Sequence, residues 1–173
     1  MTRRLSRSTI ILLALTLSGC GTNPTPVANP PPVSIRALAP AVYVEQAGSL
    51  SLLAIRLSAL ARDRSTDPAR RGFAERQDEE QHAVAAQLSF AGRYIDQLPS
   101  ARLTADDQIR FDTVGASATF DRDYARAEVE LLARGLVLHR AFAAAGTSPT
   151  LRPVAEFAVP RFERELAEVR SLR

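Results

Sequence analysis

The chain has 173 residues, a formal net charge of +3, 46% hydrophobic but only 6% aromatic residues, no tryptophan and one cysteine. That length supports one domain with a sizeable core, the Ala- and Leu-rich apolar content favours helices, and a lone cysteine excludes an intramolecular disulfide and a cysteine-rich zinc site. The charge does not mark a nucleic-acid binder: Arg3, Arg4 and Arg7 precede an apolar run, the other 19 basic residues are matched by 19 acidic ones, and no basic run interleaves with aromatics.

Residues 1–20 divide into three parts. Arg3, Arg4 and Arg7 make a positive start, Ile10 to Leu17 make an apolar run, and Leu17-Ser18-Gly19-Cys20 closes it with small residues before the only cysteine. The apolar run is shorter than the ~20 residues a membrane-spanning helix needs, so the pattern predicts a secretory signal. Leu-Ser-Gly-Cys resembles the bacterial lipoprotein box. The resemblance implies cleavage between Gly19 and Cys20, a diacylglycerol on the Cys20 thiol and further acylation of the new amine. Several acyl chains give stable anchoring, each buried CH₂ contributing ~0.8 kcal/mol. An ordinary signal peptide with an incidental cysteine is the plainer alternative, and it leaves the agreement of start, run, box and sole cysteine unexplained. Gly21 follows the cysteine where an Asp would retain such a protein at the inner membrane. The expected location is therefore the cell envelope, lipid-anchored, at the outer membrane and facing the periplasm. The Pro-rich stretch after Cys20 has the composition of an extended tether with no core to bury. The expected division is a signal peptide over 1–19, the lipidated cysteine and tether over 20–38, and a helical bundle over 39–173.

From about residue 40 the apolar spacing is helical. Pro40 suits a first turn, and Tyr43, Ala47, Leu50, Ala54 and Leu57 mark one face. Asp67-Pro68 predicts an N-cap and first helical position. The second helix then carries Phe73, Val84, Leu88, Ala91 and Ile95 and ends near Pro99. A linker follows in which Thr104-Ala105-Asp106-Asp107 would suit the start of a short helix. The third helix is expected over about 117–145, with Phe120, Tyr124, Leu131, Leu138 and Phe142 on its stripe, broken at Gly146. The fourth starts near Pro149, carries Ala155, Ala158, Phe162, Leu166 and Val169, and is expected to kink near Pro160.

The segment at 67–74, "DPARRGFA", recurs loosely at 148–155 as "SPTLRPVA", each opening the second helix of a pair. Two similar helix hairpins joined by a long crossover match the plan of an all-α, ferritin-like four-helix bundle. With "DPARRGFAERQ", "FDRDY" at Phe120–Tyr124 and the terminal "SPTLRPVAEFAVPRFERELAEV", the chain resembles, over about residues 40–172, a bacterial ferritin-like family of unknown function made up of outer-membrane and exported proteins. The resemblance implies a ferritin-like bundle, an envelope location and no settled activity.

A ferritin-like carboxylate site needs Glu from two helices and Glu-x-x-His from the other two, all facing inward. Glu79-Glu80-Gln81-His82 contains that spacing. At ~100° per residue, however, Glu79 and His82 fall opposite the apolar stripe, and Glu80 and Gln81 fall near it. The family resemblance implies an Asp-His pair where this chain has Glu80-Gln81, a Glu near Ala54, a His near Leu132 and a His at the place of Glu165, so the chain departs from it four times. On or beside inward faces remain Glu80, Glu128, His139 and Glu165, together with Gln46, Gln77 and Gln81. Glu128 and Glu165 lie at similar distances from the Gly146 turn and are expected to approach across it. Buried carboxylates must pair, bind an ion or sit at an edge.

No phosphate-binding glycine loop, nucleophile elbow or zinc-protease motif occurs in the sequence. The expected role is accordingly that of a non-catalytic structural or adaptor bundle linked to envelope stress, with no cofactor and an envelope protein as partner. The first alternative is an iron- or manganese-binding redox or storage bundle with Glu80, Glu128, His139 and Glu165 as ligands. The second is a carrier of lipid or a small apolar ligand.

Overall fold

The computed structural model describes residues 38–172. Gly19, Cys20 and most of the tether lie outside the described residues. Within them the chain forms five α-helices and no strand: α1 (Pro40–Arg64), α2 (Pro68–Arg93), α3 (Ala105–Gly115), α4 (Phe120–Ala145) and α5 (Arg152–Ser171). None is long and apolar enough to cross a membrane.

α1 and α2 pack as one hairpin and α4 and α5 as another. The hairpins join through α1 against α4 and α2 against α5, while α3 rides on α1 and α4 along the crossover. The linker thus holds a full short helix, so the described residues form five helices where periodicity marks four strongly. α3 is short and only Asp107 and Val114 are buried on it, too few points to show a helical stripe.

Local chemistry sets the ends. Pro40 opens α1, and Asp67 caps α2 by accepting a 2.8 Å hydrogen bond from the Ala69 amide. α2 stops at Arg93, earlier than Pro99: Asp96 takes φ 54° and the Gln97 amide returns to the Gly92 carbonyl at 2.9 Å, reversing the chain. α4 begins at Phe120, not 117, because Ser117 and Thr119 spend their hydroxyls on the Asp123 carboxylate (2.6 and 2.8 Å) and so form the turn before the helix. Asp121 and Asp123 then occupy its first turn, where the helix dipole favours negative charge. α5 starts three residues beyond Pro149 and continues as one helix through Pro160.

The core follows the predicted stripes closely. Tyr43, Leu57, Phe73, Leu88, Leu131, Phe142 and Phe162 are all buried. Tyr43 stacks on Phe142 with centroids 3.9 Å apart. Phe120 and Tyr124 stack one turn apart at 5.8 Å. Against Gly135 lies the Phe162 ring, in the place a Cβ would take, which lets α4 and α5 approach closely.

Candidate functional site

Each of the four long helices interrupts its apolar stripe with a polar residue. On α2 the spacing Phe73–Gln77–Gln81–Val84–Leu88 keeps both glutamines on the buried face. α4 contributes Tyr124 and Glu128, α5 contributes Glu165, and α1 contributes Ser58; all are buried. Ser58 Oγ donates to Gln77 Oε1 at 2.8 Å, and Gln77 Nε2 donates to Glu128 Oε2 at 2.6 Å. One turn along, Gln81 Nε2 donates to Glu165 Oε2 at 2.9 Å. The second carboxylate oxygens of Glu128 and Glu165, Gln81 Oε1 and the Tyr124 hydroxyl have no hydrogen-bond partner among the described residues.

Burial dominates the electrostatics. It pushes the Glu128 carboxyl up to about 8, with the Gln77 hydrogen bond opposing and the Glu165 charge reinforcing. It pushes Glu165 up to about 7, where the Gln81 hydrogen bond opposes and the nearby Glu80 charge reinforces. Tyr124 is raised first by burial and then by the charges of Glu128 and Glu165, so its hydroxyl belongs to the same cluster. Two carboxyl groups that exchange protons near neutrality, with free oxygens around them, can hold protons or a hard, oxygen-seeking cation.

The four candidate ligands do not converge. Glu128 and Glu165 share the cluster. Glu80 sits at the edge of the α2–α5 seam, ion-paired to Arg161 at 2.8 Å and to Arg164 at 3.2 Å. His139 lies eleven residues beyond Glu128 on α4, about 16 Å along the axis. There its Nδ1 meets the Tyr43 hydroxyl at 3.0 Å and its ring packs on Phe162. Burial lowers its pKa to about 4, leaving a neutral imidazole. Among the described residues, no group of three or more His, Cys, Asp or Glu side chains is placed to hold a metal ion. The buried oxygen-bearing groups that act on one another are Glu165, hydrogen-bonded by Gln81, and Glu128 and Tyr124, which feel its charge. Glu79 and His82 face solvent as the helical wheel requires, His82 Nδ1 lying 2.8 Å from the Asp78 carbonyl oxygen.

Sequence reasoning placed Gln77, Gln81, Glu128 and Glu165 inward and put Tyr124 on the apolar stripe, but passed over Ser58 and the part the Tyr124 hydroxyl takes in the polar cluster. Ser58 stands four residues from a marked core position, Ala54, and that spacing was the available signal. It also passed over a second buried group. Asp107 of α3 accepts from Ser49 of α1 and Arg134 of α4, both at 2.6 Å. Burial raises the Asp107 carboxyl, but the hydrogen bonds from Ser49, Arg134 and Thr104 and the Arg134 charge outweigh it, leaving its pKa below the usual range.

Fold and cluster together define an all-α protein built as a helical bundle with a carboxylate-bearing interior. The chain belongs to the family described as a domain of unknown function, DUF4142, whose model matches residues 23–172. No curated protein matches the sequence. Among solved structures the chain is similar to CopM in the Cu(II)-bound form, with a TM-score of 0.66 over 78% of this chain and 95% of that one. At 11% identity that likeness concerns the fold alone.

Proposed function

We propose that the protein is a lipid-anchored envelope protein in which a ferritin-like bundle acts as a non-catalytic structural or adaptor module. The observation that carries this reading is the order of features in the chain: positive start, apolar run, Leu-Ser-Gly-Cys box at Cys20, Pro-rich tether, and then a bundle. Two hairpins with a crossover between them support the ferritin-like description. The polar interior supports a structural role, since Glu128 and Glu165 are each held by a glutamine in the water-excluded core. The test is mass spectrometry of the protein from membranes, alongside a Cys20→Ala variant. Acyl mass on an N-terminal Cys20, with release of the variant from the membrane fraction, is the expected result. An unmodified Cys20 overturns the anchor.

One observation favours a metal-binding reading as second: the unpartnered oxygens of Glu128, Glu165, Gln81 and Tyr124. CopM is described with bound Cu(II), but the donors here are oxygens, and the one methionine is Met1. That set suits iron or manganese better than copper. Elemental analysis of the protein purified from its own compartment decides it. Near-stoichiometric metal that disappears in the Glu128→Gln, Glu165→Gln variant supports the second reading over the first. The carrier reading would use the groove of ≈ 350 Å³ floored by Leu53, Leu57 and Leu131.

A further inference from the structure

Phe90, Tyr94 and Leu98 are large apolar or aromatic side chains that are 59%, 70% and 63% exposed. Single exposed apolar residues carry no meaning, but a group of them does. These three fall within nine residues, and the Phe90 ring meets the Tyr94 ring edge-on at 5.2 Å. A groove of ≈ 410 Å³ beside them continues the surface onto Pro153, Val154 and Phe157 of α5.

Their position in the bundle is the second observation. α1 and α2 have nearly equal lengths and run antiparallel across the short turn at 65–67, so the last turn of α2 stands beside the first turn of α1. The patch therefore lies at the end where the chain enters at Pro40. The 19 residues 21–39 lie between Cys20 and Pro40. A stretch of that length reaches at most about 60 Å at ~3.1 Å per residue. A chain anchored at Cys20 keeps this end within that reach of the lipid, and a contact too weak to recruit a free protein is populated at so high a local concentration. Tyr is among the aromatics favoured at headgroup depth. Arg93 and Asp96 beside the patch offset each other in charge, so the attraction would come from apolar and aromatic surface.

We propose that this end of the bundle docks on the membrane that holds Cys20, with Phe90, Tyr94 and Leu98 entering the headgroup region. The proposal rests on the lipid-anchor reading. The chain has no tryptophan, so Tyr94→Trp in the otherwise native lipidated protein is a single reporter. Ala118→Trp, on the exposed turn before α4 at the opposite end, is its control. Both are reconstituted into phosphatidylethanolamine–phosphatidylglycerol vesicles with brominated acyl chains.

The expected result is a blue shift for Tyr94→Trp and quenching at least about twofold above that of Ala118→Trp. Added salt should leave both unchanged, and Phe90→Ser with Leu98→Ser should abolish the excess quenching. Equal quenching of both reporters in protein that stays with the vesicles overturns the docking alone. Protein that leaves the vesicles and carries no acyl group overturns the anchor, and the docking with it. A shift seen in isolated envelopes but not in pure lipid assigns the patch to a protein partner and overturns the lipid assignment.

Discussion

Glu128 and Glu165 are the residues whose chemistry departs furthest from their ordinary behaviour. An unfolded glutamate titrates near 4.5, whereas folded Glu128 titrates near 8 and Glu165 near 7. Between those values the folded chain keeps protons that the unfolded chain has lost, so stability falls as pH rises through the window and levels off above it. His139 acts in the opposite sense between about 4 and 6.5, where the unfolded imidazole is protonated and the folded one is not. The interval from pH 6.5 to 8 therefore isolates the glutamates. Denaturant unfolding should show a loss of about 1–2 kcal/mol across it, and Glu128→Gln, which removes the charge and keeps the shape, should flatten much of that loss. An unchanged slope in the variant would show that Glu128 is not the titrating group. Gly135 offers a test without charge. Phe162 fills the space of its missing side chain, so Gly135→Ala should lower stability by about 1–3 kcal/mol in the same assay. At this scale the inward placement of both glutamates was legible, because Glu128 follows Tyr124 by four residues and Glu165 follows Phe162 by three. The fate of Glu80 was not: its partners Arg161 and Arg164 come from a helix 80 positions away, and only packing brings them to it.

At the scale of elements, α3 is held by a few polar contacts more than by burial. Asp107 joins it to Ser49 of α1 and Arg134 of α4, and Thr104 caps it while receiving Ser49 as a neighbour at 3.3 Å. Removing the carboxylate takes the acceptor from the buried Ser49 hydroxyl and the ion-pair partner from the half-exposed Arg134 guanidinium. Asp107→Ala should cost about 1–3 kcal/mol, and amide exchange should quicken in α3 well before α2. Uniform exchange across all helices would show that α3 is not a separate, weaker unit. The starts of α1 and α2 were legible from Pro40 and Asp67-Pro68, because a cap and a proline act within one turn. The starts of α4 and α5 were displaced by three residues. In the first case Ser117 and Thr119 bond to a side chain inside the helix, an alternative that hydrophobic spacing does not register.

The whole molecule couples its two hairpins through α1 against α4 and α2 against α5; the Gln81–Glu165 bond crosses the second of these seams, and the Gln77–Glu128 bond runs through the interior from α2 to α4. Neither hairpin buries its stripe alone. Unfolding should be one cooperative transition, with helical circular dichroism and tyrosine fluorescence changing together. Two separate transitions would mean that one hairpin is stable by itself. The amino-acid order alone determined that the chain is helical, where its long helices run and which faces turn inward, since these depend on spacing within a few turns. It also holds the local motifs within 1–20 on which the proposed anchor rests. Tertiary structure decided which inward polar residues meet. Glu128 and Glu165 share a cluster with Gln77, Gln81, Ser58 and Tyr124, while His139, equally inward, is carried about 16 Å along α4 to Tyr43. It also placed Phe90 and Tyr94 at the end where the chain enters. The reason is geometric: a helical period states which way a residue faces, but the height at which four helices align follows from how their side chains pack.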